Sequence, residues 1–139
     1  MPVMTAEDLT SFMEEAFPQV HEDFQVEEVR DMGLRVRLKV TDKHLRPGGT
    51  VSGPAMFSLA DVGVYLAILA QIGPKALAVT TNCSIDFMRK PAARTDLIAD
   101  CTLLKLGKVL AVGDILMWSD GMESPVARAT LTYSIPPDR

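Results

Sequence analysis

The sequence predicts an α+β domain in which a curved, six-stranded antiparallel sheet wraps around one long helix. The first observation is the stretch from Gly48 to Gly73, which is apolar on every side after Ser52-Gly53-Pro54. A helix without a polar face is either buried inside a protein or spans a membrane. The second observation is that two strand-like segments precede this helix and four follow it. Two strands do not cover such a helix, but six strands curled around it do.

The central helix is predicted to lie in the core and to carry one carboxylate. Ser58 and Asp61 interrupt its apolar run, which therefore falls short of the ~20 apolar residues that a bilayer requires. Burying the charge of Asp61 is costly unless a partner or a chemical task offsets the cost. We therefore interpret Asp61 as the first candidate for chemistry. The alternative is a buried hydrogen bond or an ion pair between subunits.

Length and composition favour one globular domain, residues 1–139. The net charge of −4 argues against general nucleic-acid binding, because phosphate binding needs a surplus of Lys and Arg. Cys83 and Cys101 both lie in apolar, strand-like segments and are predicted to be buried free thiols. The opening residues, MPVMTAEDL, contain neither a basic nor an apolar leader region. We therefore expect a cytoplasmic protein that has no membrane partner.

The segments before the central helix predict a helix and then a hairpin. Apolar residues recur at helical spacing from Thr5 to Phe17, with Thr5 as the N-cap. Between Phe24 and Val40 the period changes to two, and LRVRLKV alternates apolar with basic residues. This alternation predicts a hairpin with one wet face, and Thr41 to Val51 then forms a polar loop. The side chains predicted to face the core are Leu34, Val36, Leu38 and Val40.

The central helix is predicted to end at Gly73-Pro74, because glycine followed by proline is a typical helix stop. The four strand-like segments after it are Ala76–Phe87, Asp96–Leu106, Val109–Trp118 and Val126–Ser134. Turn-like sequences separate them at Lys90-Pro91-Ala92, Leu106-Gly107-Lys108 and Ser119-Asp120-Gly121. The last two segments are long, which favours an antiparallel meander. The stretch around Leu97–Leu104 is more apolar than one covered face requires, and this indicates oligomerisation.

Ser52-Gly53-Pro54 has the composition of a helix start. Serine is a favoured N-cap, and proline is tolerated in the first turn. The free N–H groups of such an end bind an anion or a polarised carbonyl, and the Gly53 N–H is the least obstructed donor. Asp61 lies eight residues further on, so it need not meet this amide within one subunit. A two-fold dimer offers an arrangement in which Asp61 of one subunit faces Gly53 of the other. The alternative is an ordinary, well-capped helix start.

The remaining polar residues support no metal site. His21 and His44 lack a ligand partner at the right spacing, and His44 is predicted to be an exposed loop histidine. Arg89, Lys90 and Lys108 either bind the phosphates of a ligand or are solvated surface charges. The sequence contains neither a nucleophile elbow nor a phosphate-binding loop.

Three segments carry a resemblance to a known family: GGTVSGPAMFSLAD with its apolar helix, AVTTNCSIDFMRKPA, and LLKLGKVLAVGDI. In this order they resemble the hotdog-fold acyl-CoA thioesterases of the PaaI-like (phenylacetic acid degradation) group, and the resemblance covers Arg46 to Ile135. It implies a sheet wrapped around a central helix. It also implies a homodimer or a dimer of dimers (a homotetramer), with active sites at the dimer interface. No cofactor is implied, because coenzyme A is part of the substrate.

The resemblance also implies roles for individual residues. Asp61 falls on the carboxylate that acts as general base or nucleophile, and Gly53 falls on the glycine whose N–H polarises the thioester carbonyl. Thr80 falls near a strand hydroxyl that holds the attacking water, and Thr81 and Asn82 lie close to it. The candidate substrate-binding residues are Arg46, Ser52, Asn82, Arg89, Lys90 and Lys108.

The chain departs from the family pattern at the helix start. Ser52-Gly53-Pro54 replaces His-Gly-Gly, and Arg46 replaces an asparagine. The implied function is hydrolysis of acyl-CoA thioesters. One alternative is a hydratase or dehydratase on the same fold, which requires a well-placed catalytic histidine. The other is an acyl-CoA binding or sensing module that does not catalyse a reaction.

Overall fold

The computed structural model describes residues 1–75 and 77–137. Two helices and six strands follow one another in chain order: α1 (Ala6–Ala16), β1 (Phe24–Arg30), β2 (Gly33–Leu38), α2 (Gly53–Ile72), β3 (Val79–Phe87), β4 (Leu97–Leu106), β5 (Leu110–Ser119) and β6 (Ala127–Ser134). Two short 3₁₀ turns, His21–Asp23 and Asp42–His44, lie between them. The predicted start of the third strand, Ala76, lies outside the described residues, and β3 begins at Val79.

Both helices begin where their capping residues predict. Thr5 accepts a hydrogen bond from the Asp8 N–H at 3.1 Å, and the Asp8 carboxylate accepts one from the Thr5 N–H at 2.9 Å. Ser52 Oγ accepts from the Ala55 N–H at 3.2 Å at the start of α2. These contacts satisfy amides that have no partner within the helix. Gly73 ends α2 with a φ of 95°, a conformation that suits glycine.

The six strands form one antiparallel sheet in the order β1-β2-β4-β5-β6-β3. The predicted meander is present in β4, β5 and β6. The segment around Lys90-Pro91-Ala92, however, does not join neighbouring strands. β4 is paired on both sides, by β2 and β5, so β3 pairs with β6 and forms an edge of the sheet.

α2 is the core element that the sheet encloses. By length and composition it is apolar enough to cross a bilayer, but 67% of its most apolar 18-residue stretch is buried within the protein. Its contact with the sheet is close at Gly63, where an added Cβ would lie 2.6 Å from Cys101 Sγ on β4. This glycine therefore lets the helix approach the strand.

The outer face of the sheet carries ion pairs rather than isolated charges. Arg37 contacts Glu27 at 2.8 Å, Asp96 at 3.1 Å and Asp120 at 2.8 Å. Arg35 lies 5.3 Å from the centre of the Trp118 ring. Arg35 and Arg37 of the LRVRLKV alternation thus have aromatic and acidic neighbours on this face, whereas the third basic residue, Lys39, is exposed.

The structure contradicts the prediction for His44, in the loop before α2, and modifies the predictions for Val40 and Cys83. His44 was predicted to be exposed but is buried. Its Nδ1 accepts the Thr41 N–H at 2.9 Å, and its Nε2 lies 3.5 Å from the Asp23 carboxylate, so the ring holds the loop together. Val40 lies beyond β2 and is half-buried. Both cysteines are free, but Cys83 is half-buried whereas Cys101 is fully buried.

Candidate active site

Asp61 occupies the third turn of α2 and accepts hydrogen bonds from two hydroxyl groups. Both the Thr80 hydroxyl and the Tyr133 hydroxyl contact Oδ1, the latter at 2.7 Å. The Tyr133 hydroxyl also lies 3.0 Å from the backbone oxygen of Asp61. The half-buried charge is thus held by neutral donors, since no cation contacts it within the described part of the chain.

The pairing of two strands brings these hydroxyl groups together. Thr80 on β3 lies opposite Tyr133 on β6, so both side chains lie on the face of the sheet that contacts α2. A bulge then follows on β3 between Thr80 and Asn82, and a bulge redirects the side chains beyond it. Thr81 is exposed and donates to the Thr132 carbonyl at 3.3 Å, and Asn82 is also exposed. Of the three neighbouring candidates, Thr80 is the residue that reaches Asp61.

A cavity of about 420 Å³ opens beside the carboxylate and is mainly apolar. α1 contributes part of its wall, and the Phe17 ring lies edge-on to Tyr65 at 5.7 Å. Tyr65 in turn packs against Tyr133 with their ring centres 6.1 Å apart. The lining residues are Met13, Phe17, Val20, Asp61, Val62, Tyr65, Ala78, Val79, Thr80 and Tyr133. The cavity therefore combines one carboxylate and its hydroxyl donors with space for an apolar group.

Burial keeps the nearby titratable groups neutral. It raises the pKa of Tyr65 to about 12. Burial also raises the pKa of Tyr133, against an opposing hydrogen bond with Thr80 and together with the charge of Asp61. The pKa of Cys83 is raised by burial first and then by the charge of Asp61. At neutral pH the tyrosines are therefore hydrogen-bond donors and Cys83 is a thiol rather than a thiolate.

The start of α2 opens into a different cavity, of about 620 Å³. Gly53 lines it, and an added Cβ at Gly53 would lie 3.5 Å from the Phe87 ring. No acceptor for the Gly53 N–H is found among residues 1–75 and 77–137. Arg46, Arg89 and Lys90 line the same cavity, so three basic side chains share it with Gly53.

The other two candidate residues lie elsewhere. Ser52 lines a cavity of about 370 Å³ that also includes His44, and its hydroxyl caps the helix. Lys108 lines a cavity of about 1020 Å³ together with Ile72, near the opposite end of α2. The structure thus groups Arg46, Gly53, Arg89 and Lys90 in one place and Asp61 with Thr80 in another.

Sequence analysis missed Tyr133. It lies in an alternating series with Ala127, Ala129 and Leu131, whose side chains are all buried. A tyrosine in such an inward series needs a hydrogen-bond partner for its hydroxyl group. Asp61, on the apolar helix, is an acceptor to which the sequence alone assigns no donor. Matching Tyr133 with Asp61 would have indicated their contact. Within the described residues, no three His, Cys, Asp or Glu side chains form a metal-binding group.

Comparison with known proteins agrees with this architecture. The sequence pattern that defines the thioesterase superfamily matches residues 48–126. An esterase candidate of Pseudomonas aeruginosa is 30% identical over 103 residues, which are 74% of this chain and 75% of that protein. A crystal structure of a thioesterase candidate from Silicibacter sp. TM1040 is 55% identical, with a TM-score of 0.92 over 99% of this chain and 95% of that one.

More distant structures share the fold. The PaaI protein of the Escherichia coli phenylacetic acid degradation operon is 24% identical, with a TM-score of 0.79 over 94% of this chain and 93% of its own. A hypothetical thioesterase of Streptococcus pneumoniae, solved with coenzyme A, is 22% identical, with a TM-score of 0.77 over 94% and 98% of the two chains. The predicted hotdog fold and the resemblance to PaaI-like proteins are confirmed, and the chain belongs to the thioesterase superfamily.

Proposed function

We propose that the protein hydrolyses acyl-CoA thioesters to free acid and coenzyme A, in a site that two protomers share. Membership of the thioesterase superfamily supports thioester hydrolysis in general. The observation that carries the finer proposal is Asp61, a carboxylate held by neutral hydroxyl groups in a largely apolar cavity. A largely apolar cavity in which a few polar groups converge is typical of a ligand-binding or active site.

The distance between Asp61 and Gly53 favours a shared site. They are eight residues apart on one helix, which corresponds to about 12 Å along its axis. A single thioester carbon must approach its attacking group within about 3.5 Å, and in one protomer Asp61 and Gly53 line different cavities. A helix related by two-fold symmetry offers its Gly53 to the Asp61 of its partner. The proposed active unit is therefore a homodimer or a dimer of dimers.

In the proposed mechanism, the Gly53 N–H donates a hydrogen bond to the thioester carbonyl oxygen. Asp61 of the other protomer removes a proton from the water that attacks the carbonyl carbon, or attacks that carbon itself. The carbon–sulfur bond then breaks, and sulfur leaves with the bonding electrons as the thiolate of coenzyme A. Where Asp61 itself attacks, the acyl group is left on its carboxylate as an anhydride, which water hydrolyses to the free acid and the restored carboxylate. Stabilisation of the developing oxyanion by a preset amide is typically the largest single contribution to such a rate.

The cavity at the start of α2 suits the phosphates of coenzyme A. Arg46, Arg89 and Lys90 line it, and arginine binds phosphate through two parallel hydrogen bonds. The S. pneumoniae neighbour that was solved with coenzyme A supports a ligand of this type. Asn82 and Lys108 lie away from this cavity in one protomer, so their proposed contacts with substrate require another protomer. Ser52 is proposed to act mainly as the helix cap.

The test is release of thiol from short, medium and aromatic acyl-CoAs by the wild type and by Asp61→Asn. Loss of the carboxylate should lower kcat by about 10²–10⁴-fold. Asp114→Asn is the matched control, because Asp114 also accepts a threonine hydroxyl, that of Thr130 at 2.7 Å, but on the outer face of the sheet. Full activity in folded Asp61→Asn contradicts the mechanism. If acyl-CoAs raise the melting temperature of the wild type but are not hydrolysed, the protein is a binding module instead.

A cytoplasmic location stays a prediction.

A further inference from the structure

Two hydroxyl groups converge on the same oxygen of Asp61. Thr80 Oγ1 and the Tyr133 hydroxyl both contact Oδ1, whereas Oδ2 receives no hydrogen bond from the part of the chain that the structure describes. The two carboxylate oxygens therefore differ in the number of hydrogen bonds that they accept from the described residues: two at Oδ1 and none at Oδ2. The terminal torsion of an aspartate is broad and roughly two-fold, so the carboxylate alone would not hold either oxygen in a fixed place.

Tyr133 is well suited to hold this carboxylate. Its ring is buried, lies on β6 opposite Thr80, and packs against Tyr65 at 6.1 Å. Its hydroxyl lies 2.7 Å from Oδ1 and 3.0 Å from the backbone oxygen of Asp61. The shorter contact, to a charged acceptor, is the stronger of the two. The single hydroxyl proton of Tyr133 is therefore directed chiefly to Oδ1, and this bond ties the Asp61 side chain to the sheet.

We propose that Tyr133 is a positioning residue for Asp61, which together with Thr80 fixes Oδ1 and leaves Oδ2 as the oxygen that acts on the thioester or its attacking water. This inference rests on the proposed function and adds to it a residue and a choice of atom. Thr80 in this arrangement holds the carboxylate as well as lying near the attacking water. Tyr133 acts through Asp61 and has no direct contact with the reacting atoms.

Steady-state kinetics of Tyr133→Phe test the positioning role. The variant keeps the ring and its packing, so it should fold. We expect kcat to fall by about 10–100-fold, since small misplacements of reacting groups have effects of this size, with KM within about threefold of the wild type. Thr130→Val is the matched control, because it removes a hydroxyl–carboxylate bond from the outer face of the same strand, and its kcat should stay within twofold. Thr80→Ser keeps a donor and should retain more activity than Thr80→Val.

A double-mutant cycle separates positioning from general damage. If Tyr133 acts only through the carboxylate, Tyr133→Phe has no further effect on the residual rate of Asp61→Asn. An unchanged kcat in Tyr133→Phe, or an equal loss in both backgrounds, overturns the inference.

A measurement without turnover keeps this test distinct from a test of the proposed function. The chain has 2 tyrosines, so protein labelled with ¹³C at tyrosine Cζ gives two resonances, and Tyr133→Phe assigns them. We expect Asp61→Asn to shift the Tyr133 resonance more than that of Tyr65, because the hydroxyl loses a charged acceptor. An unmoved Tyr133 resonance overturns the contact. A wild type without thiol release overturns the proposed function, and the resonance still decides whether Tyr133 holds Asp61.

Discussion

At the scale of single residues, Asp61 is held by two neutral hydroxyl groups and by no cation within the described part of the chain. An ion pair is one way to stabilise a half-buried carboxylate, whereas here Thr80 and Tyr133 do so as hydrogen-bond donors. Charge-assisted hydrogen bonds of this kind are roughly twice as strong as neutral ones. Oδ2 of the carboxylate thus has no donor among the described residues, which leaves one oxygen available to act as a general base or nucleophile.

Gly53 is the second residue on which the proposal depends, and its role is carried by a backbone amide. Gly53→Pro removes this N–H, and Ser52 already has the extended backbone (φ −73°, ψ 156°) that a following proline requires. Proline is also well tolerated in the first helical position. We therefore expect Gly53→Pro to fold but to lose about 10²–10³-fold in kcat, the typical cost of one oxyanion donor.

Gly53→Ala is the matched control for this substitution. It keeps the N–H, and its Cβ would lie 3.5 Å from the Phe87 ring, an ordinary contact distance. We expect Gly53→Ala to retain most of its thiol-release activity. Equal losses in the alanine and proline variants, both folded by circular dichroism, would mean that the amide is not the donor.

At the scale of elements, the site depends on how closely α2 packs against the sheet. Gly63→Ala tests this contact, because the new Cβ would lie 2.6 Å from the buried Cys101 Sγ. Alanine gains about 1 kcal/mol of helix propensity over glycine, but overpacking a core costs about 1–3 kcal/mol. The strand cannot retreat easily, since β4 is paired on both sides. We expect a net loss of up to about 2 kcal/mol in the free energy of unfolding, measured with urea.

The same substitution, Gly63→Ala, is also measured in protein that carries Cys101→Ala, which lacks the Sγ atom in the way of the new Cβ. Removal of Sγ makes room for the new methyl group, so Gly63→Ala should cost little or become stabilising there. If the same loss occurs in both backgrounds, the contact with Cys101 is not its cause.

Local chemistry made most of the elements predictable, and long-range pairing did not. Thr5 and Ser52 marked the helix starts because each satisfies nearby amides, and Gly73 marked the end of α2. β3 pairs with β6 because β2 and β5 already occupy both edges of β4. No local sequence pattern predicts this arrangement. His44 was placed wrongly for a similar reason, since its partner Asp23 lies in an earlier segment of the chain.

At the scale of the whole molecule, large apolar side chains are exposed along the open edge of the sheet. β3 is an edge strand, and its side chains Val79 and Phe87 are exposed, as are Met88 after it and Phe57 on α2. An open edge with apolar side chains invites pairing with another chain. This supports dimerisation near Gly53, where the proposed site needs a second protomer.

The candidate site was predictable only in part, because it combines local and long-range features. An aspartate in an apolar helix and a glycine after an N-cap are visible in sequence. The convergence of Thr80 and Tyr133 on Asp61 arises only when β3 lies beside β6. The separation of Asp61 from Gly53, in contrast, is visible in sequence as an eight-residue spacing on one helix, and in the structure the two residues line different cavities.

Complementation between two inactive variants tests the shared site most directly. Asp61→Asn and Gly53→Pro would be mixed under conditions that exchange protomers, with mass spectrometry to count mixed dimers and thiol release as the readout. In each mixed dimer, one site combines the intact Gly53 of the first variant with the intact Asp61 of the second. The account predicts recovery of up to about half the wild-type kcat per mixed dimer, since one of two sites is restored. Mixed dimers that form but release no thiol would contradict it. Each site would then use Asp61 and Gly53 of the same protomer, and every site in the mixed dimer would carry one of the two substitutions.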